Sequence, residues 1–63
     1  MYLSNYGKFE IFKDRAGEYR FRLKAPNGQI IAVSEGYTTK TACKNGIEAV
    51  KRYASTATVS DLS

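Results

Sequence analysis

Arg20, Arg22 and Lys24 recur at every second position, and an aromatic, Phe12, lies a short turn upstream of them. Cations interleaved with a ring are what single-stranded nucleic acid requires, the charges meeting phosphates and the ring offering a face to a base. Cys43 is the single thiol, and at the start of a helix the dipole would lower its pKa and make it nucleophilic. Tyr37, with Lys40 three residues on, forms a polar cluster at a helix entrance, where free backbone N–H groups can bind an anion.

Other chemistries lack carriers. The 63 residues contain no histidine, which removes the usual general base from serine, cysteine and metal-assisted hydrolysis. One cysteine forms no internal disulfide and, without histidine, no ordinary zinc site. The glycines make no phosphate-loop or dinucleotide pattern, and the four glutamates and two aspartates show no metal-loop spacing. The expectation is a protein that is not an enzyme and binds no cofactor or metal. A free thiol, charge every few positions over residues 1–20 and no long apolar run suggest a cytoplasmic protein without a membrane segment. The formal net charge of +4 favours acidic partners, nucleic acid among them.

These side chains are positioned by three strand-like runs and one helical run. Glu18 to Lys24 alternates without a break, Lys8 to Phe12 alternates less cleanly, and Gln29 to Ser34 is β-branched. Between them Asp14-Arg15-Ala16-Gly17 and Ala25-Pro26-Asn27-Gly28 read as three-residue hairpin loops, each closed by a glycine suited to positive φ. The first loop sets Phe12 opposite Arg20, Ile11 opposite Phe21 and Glu10 opposite Arg22. The second sets Lys24 opposite Ile30, Leu23 opposite Ile31, Arg22 opposite Ala32 and Phe21 opposite Val33. One face then holds Phe9, Ile11, Tyr19, Phe21, Leu23, Ile31 and Val33, and the other Glu10, Phe12, Arg20, Arg22, Lys24, Ile30 and Ala32.

Thr38 or Thr39 can cap a helix to about Ala54, whose stripe of Cys43, Gly46, Ile47, Val50 and Ala54 covers the first face. Gly46 within that stripe implies a close approach to the sheet or to another helix. The stripe also gives Cys43 a structural place as a small core residue. On the second face Glu10 can pair with Arg22, and Phe12 can lie under Arg20, so those charges have a structural use as well.

Gly7-Lys8-Phe9-Glu10-Ile11, Gly17 to Ala25, Asn27-Gly28, Ser34 to Thr38, Lys40 and Cys43-Lys44-Asn45-Gly46-Ile47, taken in order, resemble the YegP-like family of small proteins across about residues 7–54. The resemblance implies a strand-strand-strand-helix unit, present as a tandem duplication or as a single copy, with single copies pairing as dimers. It carries no catalytic residues onto this sequence. Phe12 stands where relatives often have tyrosine.

The expected protein is therefore α+β: a three-stranded antiparallel meander with one C-terminal helix on one face, over residues 7–54. Residues 1–6 read as a lead-in and residues 55–63 as a mobile polar tail. A domain this small buries only about 60% of its unfolded surface and is marginal alone, so association is the plausible aid. Phe12, Ile30 and Ala32, apolar among arginines, are the expected homodimer contact of a non-enzymatic interaction module. The alternative is a nucleic-acid or polyanion binder using Arg20, Arg22, Lys24 and Phe12.

Overall fold

The computed structural model describes residues 6–63, so the lead-in expected over residues 1–6 lies outside the described part except for Tyr6. Three strands, β1 (Lys8–Lys13), β2 (Tyr19–Lys24) and β3 (Ile30–Val33), form an antiparallel sheet in the order β1-β2-β3, followed by helix α1 (Lys40–Tyr53). The expected α+β meander with one C-terminal helix is present. No helix among the described residues is long and apolar enough to cross a membrane.

Both hairpin loops form as their residues dictate. Gly17 donates to the Asp14 carbonyl at 3.0 Å while Asp14 donates to that of Glu18 at 2.8 Å; Gly28 and Ala25 repeat this with Ala25 and Gln29 at 2.8 Å each. The closing glycines sit at φ +82° and +88°, a region that other residues enter only with strain. The first loop fixes the β1–β2 register as expected: Glu10 opposite Arg22, Ile11 opposite Phe21, Phe12 opposite Arg20.

The β2–β3 register departs from expectation after its first pair. Lys24 faces Ile30, but a bulge follows, so that Leu23 faces Ala32 and Arg22 faces Val33. Ile31 is the extra residue. Ser34, rather than Val33, then lies across from Phe21: its N–H donates to the Phe21 carbonyl and its hydroxyl accepts from the Phe21 N–H, both at 2.9 Å. One inserted residue reverses the facing of those after it. Ala32 therefore shares the face of Leu23, not that of Phe12 and Ile30, while Val33 joins Arg22 and Lys24. The sorting of Ile31 and Val33 into the core is corrected accordingly, with the two at 61% and 55% exposure.

Beyond β3 the chain returns to β2, where Tyr19 and Tyr37 exchange backbone hydrogen bonds of 2.8 and 2.7 Å. Thr39 then caps α1, its hydroxyl accepting from the Ala42 N–H at 3.1 Å, which satisfies one of the helix's free donors. The helix ends at Tyr53 and passes into a 3-10 turn, Ala54–Thr56, so Ala54, expected to close the apolar stripe, is exposed.

Phe21, Cys43 and Ile47 form the buried core, with Phe9, Ile11, Tyr19, Tyr37 and Val50 packed around them. The ring of Phe21 is its hub, edge-on to Phe9 at 5.7 Å and stacked with Tyr37 at 6.4 Å between centroids. Gly46 admits this arrangement, since a Cβ there would run into the Tyr37 ring and hydroxyl. The close approach expected of Gly46 is thus made to Tyr37 and Phe21. Because α1 packs on β2, all four residues of β3 are left exposed.

Candidate functional site

The outer sheet face carries the basic residues singled out by their alternation, and each has an acidic partner. Glu10 lies on β1 opposite Arg22, and its carboxylate accepts from Arg22 Nε at 2.7 Å, with Lys24 Nζ at 3.5 Å and Lys8 Nζ at 3.4 Å. Arg22, whose hydrogen bond matters most, and the flanking lysines together push the Glu10 pKa down from 4.5 to about 2.

Arg20 behaves differently from expectation. Its Nε donates to Asp14 Oδ2 at 2.7 Å and its Nη1 to the Ser34 carbonyl at 3.0 Å, so it ties the first turn to the segment after β3. That hydrogen bond, followed by one from the Glu18 N–H, lowers the Asp14 pKa. With Arg20 drawn to the turn, the ring of Phe12 is covered by Arg22, whose guanidinium carbon lies 5.0 Å from the ring centroid. The expected cation–π contact exists with a different arginine. Thus Arg20, Arg22, Lys24 and Phe12 do share one face, with two carboxylates distributed among its cations.

The other two candidates separate. Cys43 is wholly buried, and burial pushes its thiol pKa up, the opposite of an activated nucleophile. Tyr37 turns its ring onto Phe21, whereas Lys40 reaches over the ring of Tyr19, with Nζ 5.8 Å from the centroid. Glu48, spaced four residues from both Lys44 and Arg52, pairs instead with Lys51 at 3.3 Å.

One constellation was not anticipated. A groove of about 450 Å³ between α1 and the end of β1 is lined by Ile11, Phe12, Lys13, Tyr19, Lys40 and Lys44. Lys13 enters it because it faces Tyr19 across the β1–β2 pair, its Nζ 5.1 Å from the Tyr19 centroid. Lys40 and Lys44 enter it from adjacent turns of α1. The four-residue step between these lysines is visible in the sequence. Their meeting with Lys13 depends on how the helix lies across the sheet.

The family described as "Domain of unknown function (DUF1508)" matches residues 14–61. A UPF0339 protein in the ptx operon 5' region of Stutzerimonas stutzeri is 62% identical over 48 residues, 76% of this chain and 43% of that protein. The chain thus spans less than half of that relative's length. A UPF0339 protein of Treponema denticola is 55% identical over 53 residues, covering 84% of this chain and 91% of the relative. Among solved structures, an NMR solution structure of a protein from Haloferax volcanii superposes with a TM-score of 0.84 at 47% identity, covering 92% of this chain and 98% of that one. The solution structure of protein ATU0232 from Agrobacterium tumefaciens does so with a TM-score of 0.77 at 49% identity, covering 90% and 92% of the two chains. With its matched motifs, its register and its three strands before one helix, this chain belongs to the DUF1508 (UPF0339) family, in agreement with its YegP-like resemblance.

Proposed function

We propose that this chain is a non-enzymatic interaction module that works as a homodimer, and that β3 is the centre of the contact. The observation carrying this reading is that Ile30, Ile31 and Val33 are 49%, 61% and 55% exposed on a strand whose outer edge has no neighbour among the described residues. An open edge made of β-branched residues pairs readily with a second chain, and native proteins rarely leave one uncovered. Ile30 and Val33 share the outer face and Ile31 is the extra residue of the bulge between them, so a contact centred on the β3 edge can bury all three. Ile30 flanks this contact on the outer face and Ala32 takes part from the helix side, whereas Phe12, on the opposite edge strand β1, lies away from it. A buried, unactivated thiol and a histidine-free sequence support a role in binding rather than catalysis.

Isotope-filtered NMR on a mixture of labelled and unlabelled chains tests the contact directly. Intermolecular NOEs to the methyl groups of Ile30, Ile31 and Val33 are expected. A dimer whose intermolecular NOEs all arise from α1 would refute the assignment to β3, and the absence of any would refute the dimer.

A further inference from the structure

The charges of this chain are unevenly matched. Lys8, Arg20, Arg22, Lys24 and Lys51 are paired with carboxylates. Of the other Lys and Arg residues, Lys13, Lys40 and Lys44 line a single groove, and no acidic residue lines it with them. Like charges gathered in a concave site repel one another and raise the local potential for an anion.

A second feature adds to this potential. Lys40 and Lys44 lie in the first turns of α1, and the first turn contains no acidic residue. That end of a helix carries the positive pole of the dipole, which favours anions and disfavours lysine. The local charge pattern therefore opposes helix stability, and a bound anion would add attractions to the lysines and to the dipole that offset these repulsions.

We propose that the groove between α1 and the end of β1 binds an oligophosphate, a compact anion with several phosphate charges, through the ammonium groups of Lys13, Lys40 and Lys44. Ammonium groups are compact point charges that bind phosphate oxygens without the bidentate geometry that an arginine fork imposes. Three cations lining one groove, two of them over the Tyr19 ring, call for more charge than a single phosphate brings. The space of about 450 Å³ is that of a small ligand. A nucleic-acid strand would need the basic track to continue beyond the groove, yet Arg20, Arg22 and Lys24 are committed to Asp14 and Glu10. The site does not involve β3, so it stands or falls independently of the dimer.

The test is a titration of the full chain with sodium tripolyphosphate at low salt, followed by amide chemical shifts, with inorganic phosphate and a single-stranded oligonucleotide as parallel arms. Saturable shifts at Lys13, Tyr19, Lys40 and Lys44 are expected, with inorganic phosphate binding more weakly. The Lys13→Gln/Lys44→Gln variant should bind tripolyphosphate about tenfold more weakly or worse. The Lys51→Gln/Arg52→Gln variant removes the same net charge at the far end of the helix and should bind nearly as the parent does. Amide spectra of both variants establish that they are folded. Equal losses in the two variants would reduce the effect to net charge and overturn the proposal. So would an absence of saturable shifts, or an oligonucleotide that binds more tightly than tripolyphosphate through the Arg22 and Lys24 face.

Discussion

Gly46 lies directly beneath the phenol of Tyr37, with the Phe21 ring the next nearest neighbour of any Cβ built there. This contact fixes how closely α1 approaches the sheet, and it predicts that Gly46→Ala destabilises the protein although alanine is the better helix former by about 1 kcal/mol. The new methyl must displace Tyr37 from its stack on Phe21, and overpacking of this kind costs about 1–3 kcal/mol. Urea denaturation of the two proteins checks the sign. A Gly46→Ala/Tyr37→Ala double variant should lose less than the sum of the two single losses, because the residues share one contact.

Glu10 makes stability depend on acid. Its carboxylate, at about 2 in the folded protein against 4.5 ordinarily, binds a proton more weakly when folded than when unfolded. Its contribution is therefore complete above 4.5 and is lost as pH falls towards 2, and the lowered pKa of Asp14 acts in the same direction. Thermal melts of the wild type should fall in this window. Glu10→Gln should start lower at neutral pH and show a shallower acid slope.

Arg20 links the first turn to Ser34, whereas Arg22 covers Phe12. Replacing Arg20 with glutamine should loosen the turn and the segment after β3 together, seen as faster amide exchange at Gly17, Glu18 and Ser34. Replacing Arg22 should instead affect the β1–β2 pair around Glu10 and Phe12. The partly exposed pairs themselves contribute little to stability, so both variants should remain folded.

Cys43, buried against Phe21 and Ile47, should react with a thiol reagent only as fast as the chain opens. Its labelling rate should rise with urea in step with unfolding. Rapid labelling under native conditions would contradict its place in the core.

The sequence contained much of this architecture, because the information was local. Gly17 and Gly28 announce two turns by their chemistry, and the Asp14 turn carries the whole β1–β2 register with it. The Ala25 turn likewise determines the pairing of Lys24 with Ile30. The next pair fails because the bulge at Ile31 is tied to the hydrogen bonds between Ser34 and the Phe21 backbone, across the sheet and outside any turn signal. The choice between Arg20 and Arg22 as the cover of Phe12 was hidden for a similar reason. It turns on Asp14, which reads as a turn residue but also serves as an ion-pair partner. The lysine groove was least visible, since it joins a strand end to a helix start far apart in sequence.

The uncovered β3 is the feature on which the functional reading depends, and sedimentation equilibrium of the wild type beside an Ile31→Lys variant tests it most directly. Lysine on an edge strand opposes pairing while remaining compatible with the exposed position of Ile31. The wild type should sediment as a dimer at tens of micromolar, and the folded variant should dissociate about tenfold more readily or worse. A wild type that stays monomeric at those concentrations, or a variant that dimerises equally well, would contradict the role given to this strand.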